Sequence, residues 1–367
     1  MLLSVQQINT LEEFNALESE WNTLLEKSRS NSVFLTWEWI STWWRFFGLK
    51  GELFVLCLRN KGGKLVGIIP FKKQPRRIGG LWLDCLEFIG SGLETMPDYL
   101  DFILDLEYEQ QGGRLVFEYL YLNNNSWDVI NFSDMKEDSI CFQTFHHDVL
   151  SRRTLHKKDA ICPYIELPRT WDLYLKGLSK KSRYNLRKKR RNLERDFKNE
   201  FSIVRDQETL DEVITEVAGI HKGRMIQKKS VGYSVTDKFW DFQREISRNF
   251  LEKGWLFMGL LKVDSHLAAC QYAFQYFDKV YHYQTGIDPE YSRCSPGLIS
   301  IGYMIEASIN NNAVEYDFLR GGEDYKFHWA KSYRNIRSLY IWNSRHVKAR
   351  ISYLAFLLFQ WTKKIKG

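Results

Sequence analysis

The sequence has few of the features that mark secreted, fibrous or membrane-spanning proteins. Its 367 residues include 7 prolines and 6 cysteines, and no two cysteines form a CxxC pair. Scattered cysteines in a chain of this length are typical of reduced core thiols, which argues against a disulfide scaffold or a zinc ribbon. No apolar run reaches the ~18–20 residues needed to cross a bilayer. The N-terminal segment has no basic region and turns acidic by Glu12, so we expect no secretory signal and a cytoplasmic location.

The overall composition is that of a globular protein. Hydrophobic residues make up 44% of the chain and charged residues 26%, and at ~100–200 residues per domain the length predicts two domains or one large α/β body. There are 52 Lys and Arg against 45 Asp and Glu, for a net charge of +7. This mild excess suits an anionic ligand, but it does not by itself require nucleic acid.

A helix followed by a hairpin is predicted in the first half of the chain. Residues 36–47 have helical spacing and stop at Gly48. The β-rich runs 52–60 and 64–73 follow, joined by Lys-Gly-Gly, which favours a hairpin. Upstream, the spacing predicts another helix over 11–27, with Thr10 and Glu13 as a capping box.

The same order returns in the second half. A helix is predicted over 238–254, followed by strands over 255–263 and 266–277. When Phe54 is aligned with Phe257 and Leu65 with Leu267, the two helix–hairpin units fall in register, which indicates an internal duplication. Chance recurrence of such a unit in an α/β protein is the alternative.

The rest of the second half completes a sheet with flanking helices. We expect strands over 278–288, 314–322 and 337–343 and a helix over 298–310. The fold class is therefore α/β (α+β), with two lobes that each contain a mixed, mostly antiparallel sheet. The expected domains are an N-terminal lobe over 1–165, a C-terminal lobe over 166–345 and an amphipathic basic helix over 346–367.

One segment is strongly basic. Residues 179–195 contain nine Lys or Arg and one Glu. Leu178, Leu186, Leu193 and Phe197 recur at near-helical spacing, so a narrow stripe should dock while the other faces stay basic. Such a helix could bind the phosphates of a coenzyme, an RNA or an anionic membrane surface. A solvated helix lying over an acidic surface of the same protein is the alternative.

A second segment joins a strand to a helix through Ser295, Pro296, Gly297 and Leu298. Ser295 is a plausible N-cap and Pro296 a plausible first helical residue. The free backbone amides at a helix start carry partial positive charge and can hold a diphosphate. An ordinary capped helix without a ligand is the other interpretation.

A third segment places ionisable side chains where a strand is predicted to end. Arg320 and Lys326 could hold an anion, Asp317 or Glu323 could orient an amine or a water, and Tyr325 could donate a proton to a leaving group. A network of internal salt bridges at the sheet edge would produce the same pattern.

Two remaining features concern metals and membranes. His146, His147 and His156 lack carboxylate or cysteine partners at metal-ligand spacing, so no metal site is predicted. The apolar stretch 351–361 is too short to span a bilayer and is flanked by basic residues. It can pack on the body of the protein or lie on the surface of the inner membrane.

Together these segments resemble the bacterial GNAT-like acyltransferases of the CelD-like group, which are associated with cellulose and exopolysaccharide, and their Fem peptidyltransferase relatives. The resemblance is carried by these stretches: FLTWEWISTWWRFFG (34–48), LVGIIPF (65–71), EFIGSGLETMPDYLDFIL (87–104), LSKKSRYNLRKKRRNLER (178–195), GIDPEYSRCSPG (286–297) and YDFLRGGEDYKFHWA (316–330). It implies a tandem GNAT fold and transfer of an acyl group to an amine or hydroxyl of a small molecule or of a polysaccharide or envelope-polymer precursor.

The resemblance also implies a donor and roles for the candidate residues. Acyl-CoA would serve as a cosubstrate, with no tightly bound cofactor, and Tyr325 or Tyr283 would protonate the leaving thiolate. The GNAT diphosphate loop has the form Q/R-x-x-G-x-G/A, and residues 291–297 keep only Gly297 of its glycines. A Fem-type transferase that uses aminoacyl-tRNA, and a non-catalytic scaffold for polysaccharide assembly, are the alternatives. The oligomeric state is not predicted.

Overall fold

The computed structural model describes residues 3–92, 94–145, 154–227 and 236–366. Contacts between Cα atoms divide the chain into two compact units. Unit 1 comprises residues 1–159 and 335–367, and unit 2 comprises residues 160–334.

Unit 1 contains a mostly antiparallel sheet with helices around it. Its strands lie in the order β1-β2-β3-β4-β6-β13, and β5 pairs with β3. Among the described strand pairs of this unit, β4 and β6 run parallel, with Leu86 opposite Ile130. The elements are β1 (Ser4–Ile8), α1 (Leu11–Asn15), α2 (Glu18–Leu25), α3 (Trp37–Phe47), β2 (Glu52–Arg59), β3 (Leu65–Ile78), β4 (Leu81–Phe88), β5 (Ile103–Leu104), α4 (Glu109–Leu122), β6 (Val129–Lys136), α5 (Ile140–Phe145), β13 (Ser332–Trp342) and α12 (Val347–Lys366).

The first helices of unit 1 follow the sequence pattern, with one break. Thr10 accepts a hydrogen bond from the Glu13 amide, which confirms it as the N-cap, and the Glu13 carboxylate accepts from the Thr10 hydroxyl and not from the Thr10 amide of a capping box. The single helix expected over 11–27 is divided into α1 and α2. The helix expected over 36–47 is confirmed as α3, with the Thr36 hydroxyl capping the Trp39 amide.

Unit 2 has a sheet of the same kind, in the order β7-β12-β11-β10-β9-β8. Of the strand pairs described in this unit, β11 and β12 run parallel. The elements are β7 (Thr154–Glu166), α6 (Trp171–Gly177), α7 (Lys180–Asp196), β8 (Asn199–Ile203), α8 (Gln207–Gln227), α9 (Asp237–Glu252), β9 (Leu256–Val263), β10 (His266–Tyr276), β11 (Lys279–Ile287), α10 (Pro296–Asn310), β12 (Glu315–Asp317) and α11 (Asp324–Phe327).

The two units repeat one order of elements, which confirms the duplication predicted from the sequence. Each unit has a strand, two or three helices, three antiparallel strands, a helix and then a strand parallel to the third. Phe54 lies in β2 and Phe257 in β9, while Leu65 begins β3 and Leu267 is the second residue of β10. The aligned residues therefore occupy equivalent strands.

Each sheet ends in a strand that the sequence assigned to the other lobe. These strands are β7 in unit 2 and β13 in unit 1. In unit 2, β12 pairs with β7, where Asp317 lies opposite Tyr164. In unit 1, β6 pairs with β13, where Ile336 lies opposite Lys136. The sequence placed boundaries at 165 and 345, whereas the contacts divide the chain at 159/160 and 334/335, because each sheet takes the segment that pairs with it.

The C-terminal helix α12 packs on unit 1. Ala349 and Ser352 are fully buried, and the Ser352 hydroxyl donates to the Ile78 carbonyl at 2.9 Å. Among the described residues, no helix is both long enough and apolar enough to span a membrane.

Candidate active site

Strands β11 and β12 begin side by side and then separate. They pair over Lys279–Tyr281 and Glu315–Asp317 only. The strand expected over 314–322 therefore ends early, because Leu319 has a φ of 53° and Gly321 a φ of 117°. From there the chain bonds to β7, where the Phe318 amide donates to the Pro163 carbonyl at 2.9 Å. Strand β11 continues to Ile287, so its backbone beyond Tyr281 is not paired with β12.

A β-bulge lies in β11 at the point of separation. Ala273 of β10 pairs with His282 and Tyr272 pairs with Gln284, so Tyr283 is an extra residue without a counterpart. A bulge changes which residues share a face of the strand. It brings His282 and Thr285 onto one face, with His282 Nε2 2.9 Å from Thr285 Oγ1.

A chain of buried hydrogen bonds continues from Thr285 to the first turn of α10. Thr285 Oγ1 donates to Gln271 Oε1 at 2.8 Å, Gln271 Nε2 donates to Ser300 Oγ at 2.7 Å, and Ser300 Oγ donates to the Pro296 carbonyl at 2.7 Å. The terminal carbonyl can only accept, so the direction of every bond in the chain is determined. It follows that His282 donates from Nε2 and has a lone pair on Nδ1.

The environment of His282 keeps its imidazole neutral. Burial, helped by the nearby positive charge of Lys326, lowers the pKa of His282 to about 3. A base this weak does not take up a proton near neutral pH, so the ring serves as a hydrogen-bonding group. Within the described part of the chain, His282 Nδ1 and the buried Tyr316 Oη have no hydrogen-bond partner, and the two rings lie 5.7 Å apart. Buried polar atoms of this kind are available to a ligand or a water.

The start of α10 offers backbone donors. Pro296 is the first helical residue, as predicted, and Ser295 occupies the N-cap position. The Ser295 side chain makes no capping hydrogen bond, because the residue has left-handed angles of φ 57° and ψ 48°. The expected side-chain cap is therefore absent. No hydrogen bond from the amide of Gly297 or Leu298 to any described residue is found, so both amides remain available at the positive end of the helix dipole.

Lys326 holds the turn that follows β12. Its buried ammonium donates to the carbonyls of Arg320 at 2.6 Å and Leu319 at 3.3 Å. It also lies 3.0 Å from the Glu323 carboxylate. Arg320 is half-buried, whereas Glu323 and Tyr325 are exposed. In this conformation the Lys326 charge is directed at the turn itself, and its predicted role in holding an anion stays a prediction.

Asp317 is part of an internal ion-pair network. Its fully buried carboxylate accepts from the Leu319 amide at 2.8 Å and from Arg334 at 2.9 Å. Arg334 also bonds twice to Glu315 and stacks on the ring of Tyr164 at 4.0 Å. Both carboxylate oxygens of Asp317 thus accept hydrogen bonds. This agrees with the alternative interpretation of the segment, a network of internal salt bridges at the sheet edge.

Tyr283 lies on the face of β11 away from His282. Its ring packs against Tyr272 and Phe274, and Gln243 of α9 donates to its hydroxyl at 3.2 Å. The structure therefore separates the two tyrosines proposed as acids. Tyr283 faces α9, whereas Tyr325 lies near Tyr316, whose pKa its charge helps to raise.

The basic segment is confirmed as a helix, α7, with one docked face. Leu186 and Leu193 are buried, and Arg190 reaches Glu306 of α10 at 2.7 Å while stacking 4.0 Å above Tyr303. Phe197, also expected in the docked stripe, is 37% exposed. The solvent side of α7 forms an open groove lined by Lys180, Arg183, Tyr184, Arg187, Arg190, Arg191 and Glu194.

The docked side of α7 adjoins the turn that leads into α10, because Leu193 packs in one cluster with Tyr291 and Cys294. Burial, Asp196 and Asp264 raise the pKa of Cys294, and the charge of Lys189 opposes them. Lys189 lies on this side of α7 and is not among the residues that line the groove.

The sequence patterns did not indicate His282, Thr285, Gln271 or Ser300 as site residues. Strict alternation along a strand would put His282 and Thr285 on opposite faces, and the bulge that unites them depends on β10. A usable signal was present in the polar residues within apolar runs, Gln271 in HLAACQYAF and Ser300 in LISIGYMI, since buried polar groups need partners. His146 and His147, considered for metal binding, lie outside the described residues, as does the side chain of His156.

Comparison with protein families defines the class of unit 2. Residues 180–327 match the family model described as an acetyltransferase (GNAT) domain. The matched region runs from the first turn of α7 to the end of α11 and so includes the β11–β12 separation. This region is therefore similar to GNAT acetyltransferase domains. The sequence matches no curated protein.

Solved structures extend the likeness to nearly the whole chain. A structure of FemX superposes with a TM-score of 0.61 at 11% identity, covering 93% of this chain and 98% of that one. L-PGS from Bacillus licheniformis gives 0.55 at 11% identity, covering 92% and 95%. A tandem GNAT protein from the clavulanic acid biosynthesis pathway gives 0.50 at 10% identity, covering 92% and 98%. At these identities the likeness shows the fold, which is that of tandem GNAT proteins.

Proposed function

We propose that this protein transfers an acyl group from acyl-CoA to an amine or hydroxyl acceptor, with unit 2 as the catalytic unit. The observation that carries the proposal is the separation of β11 and β12 beside the start of α10. It leaves a stretch of strand backbone, at 282–287, next to helix amides that have no partner.

These groups match the chemistry of the donor. The arm of CoA contains amides, which can form ladder hydrogen bonds with an unpaired strand edge. Its diphosphate suits the amides of Gly297 and Leu298 at the positive end of α10. The exposed guanidinium groups of Arg187 and Arg191 on α7 suit a phosphate group.

The proposed reaction forms one bond and breaks one. The acceptor nitrogen or oxygen attacks the thioester carbonyl, the new amide or ester bond forms, and the carbon–sulfur bond breaks. The acceptor loses a proton and the leaving thiolate gains one, so CoA leaves as a free thiol. Tyr325 is the favoured proton donor, because it is exposed while Tyr283 faces α9.

Aminoacyl-tRNA is the second candidate donor, and the groove on α7 favours it. Five exposed cations, Lys180, Lys181, Arg187, Lys188 and Arg191, surround the exposed ring of Tyr184. Basic side chains interleaved with an aromatic ring suit a phosphate backbone with an unstacked base. FemX and L-PGS are among the structures with this fold, and the resemblance to Fem proteins points to the same donor.

The acceptor follows from the resemblance to CelD-like proteins. A sugar or lipid-linked precursor of a surface polymer is the class we propose. A non-catalytic scaffold in polymer assembly remains the third candidate. It predicts that neither donor is consumed.

Calorimetric titration of the full-length protein with acetyl-CoA, a long-chain acyl-CoA and tRNA separates the donors. We expect acyl-CoA to bind, and the double variant R187Q/R191Q to bind it more weakly. The matched control R195Q changes an exposed arginine of the same helix that pairs with Asp196 and should bind as the wild type does. Strongly salt-dependent tRNA binding without CoA binding would instead support the Fem-type function.

Release of free CoA thiol measures turnover. Y325F should lower kcat while leaving the affinity for acyl-CoA unchanged, because the hydroxyl acts on the leaving group. Y333F removes another exposed tyrosine hydroxyl of unit 2 and should leave kcat unchanged. Equal turnover in both variants would remove Tyr325 from the mechanism, and binding without turnover under all conditions would favour the scaffold.

A further inference from the structure

The C-terminal helix α12 has two apolar faces on opposite sides. One face packs on unit 1 through Ala349, Ser352, Tyr353 and Phe356, and the rings of Tyr353 and Phe356 each lie 5.2 Å from Trp342. The contacts of this face hold α12 on unit 1, so the attachment of the helix does not require the second face.

The second face is an exposed apolar stripe. Val347, Ile351, Leu354 and Leu358 are 52–63% exposed. Their spacing of four, three and four residues places them within an arc of about 60° on the helix surface, given about 100° per residue. The same spacing continues through Trp361 and Ile365 in the sequence. We call Val347, Ile351, Leu354 and Leu358 the outer stripe.

The charge of α12 is of one sign. Residues 347–367 contain Lys348, Arg350, Lys363, Lys364 and Lys366 and no Asp or Glu. Arg350 is exposed on one side of the outer stripe, and Lys348, on the other side, pairs with Asp128 at 2.7 Å. An apolar stripe bordered by cations alone is typical of helices that lie in the interface of an anionic bilayer.

This charge distinguishes a bilayer from a second copy of the chain. Alternating steps of four and three residues would also suit a helix pair. In such a pair Arg350 of one copy would lie beside cations of the other copy, and α12 itself has no acidic residue to match them. Anionic lipid head groups supply the missing negative charge, and the acyl region accepts the leucine side chains.

We propose that α12 docks this protein on the surface of an anionic phospholipid bilayer, with the outer stripe inserted among the head groups and acyl chains. The face that holds α12 on unit 1 stays buried during this contact. The proposal concerns unit 1 and does not depend on the acyl transfer proposed for unit 2.

Vesicle flotation with the full-length protein tests the proposal. We expect binding to vesicles of phosphatidylcholine mixed with phosphatidylglycerol, weaker binding to phosphatidylcholine alone, and loss of binding as salt is raised. The double variant L354Q/L358Q removes apolar surface without changing the charge and should bind about tenfold more weakly or worse. The matched control L122Q changes a leucine that is 78% exposed on α4 and should bind as the wild type does.

Further measurements make each outcome decisive. Thermal unfolding of L354Q/L358Q should match the wild type, because both leucines face solvent. R350Q, which removes an exposed cation beside the stripe, should weaken binding to the mixed vesicles only. Absence of wild-type binding to the mixed vesicles, or equal binding by L354Q/L358Q, would overturn the proposal. So would light scattering that shows a wild-type dimer converted to a monomer by L354Q/L358Q, since the stripe would then be a subunit interface.

Discussion

His282 Nε2 lies 2.9 Å from Thr285 Oγ1, although three residues of a strand normally separate side chains onto opposite faces. The bulge at Tyr283 removes that separation. One consequence is a continuous polar connection from the strand that leaves β12 to the first turn of α10. The hydrogen bonds thereby connect two parts of the proposed donor site. One is the backbone of β11, and the other is the start of α10, which would hold the phosphates.

The neutrality of His282 predicts a pH dependence of stability. The folded-state pKa is lowered to about 3, so below the ordinary value near 6.5 the unfolded chain takes up a proton that the folded chain does not. The free energy of unfolding should therefore fall as pH drops from 6.5 toward 3. Comparing wild type with H282Q by urea unfolding, we expect the advantage of the wild type to shrink by about 2 kcal/mol between pH 6.5 and pH 5.

The control for this experiment is H328Q, which changes an exposed histidine of the same unit. Its difference from the wild type should stay constant over the same pH range. A constant difference for H282Q as well would show that His282 is protonated in the folded protein, contrary to the hydrogen-bond chain.

Arg190 should stabilise unit 2, whereas its neighbour Arg191 should not. Arg190 joins α7 to α10 through Glu306 and the ring of Tyr303, while Arg191 is exposed in the groove. R190Q should lower the free energy of unfolding by about 1–2 kcal/mol. R191Q should change it by less than about 0.5 kcal/mol and act on phosphate binding instead. Equal stabilities would mean that α7 is held by its leucines alone.

Removal of Arg334 should be costly, because it leaves the buried Asp317 carboxylate without its cation. Chemical denaturation of R334Q should show a loss of about 3–5 kcal/mol. R337Q is the comparison, since Arg337 pairs with Glu137, whose side chain is 49% exposed, and there we expect at most about 1 kcal/mol. A small loss for R334Q would indicate that Asp317 becomes protonated or hydrated when the arginine is absent.

Gly297 is required by close packing against β11. A Cβ at this position would lie 2.5 Å from Ile287 Cδ1, so G297A should destabilise the protein by about 1–3 kcal/mol and displace the start of α10. I287V removes the Cδ1 atom, and the double variant G297A/I287V should recover much of the loss. G219A, in an open position on α8, should instead stabilise by up to about 1 kcal/mol. Additive effects of G297A and I287V would contradict the contact.

Lys326 and Tyr325, adjacent in the sequence, call for different experiments. Tyr325 is exposed and can be changed to test chemistry alone. Lys326 is buried and bonded to two carbonyls and a carboxylate, so its substitution should loosen the turn as well as any binding site.

The sequence by itself determined the local elements and much of their order. The N-cap at Thr10, the limits of α3, the basic helix α7 and the start of α10 at Pro296 are all set by residues within a few positions of one another, through side-chain periodicity and backbone angles. The duplication was also visible, because both units repeat the same change from helical to strand spacing.

The tertiary structure decided what depends on partners distant in the sequence. Which sheet receives β7 or β13, and which residues share a face of β11, are set by pairing with strands far along the chain. The same holds for the inward direction of Lys326 and the two-faced packing of α12. Spacing can indicate that a side chain is buried or polar, but hydrogen bonds and burial are completed by atoms that only folding brings together.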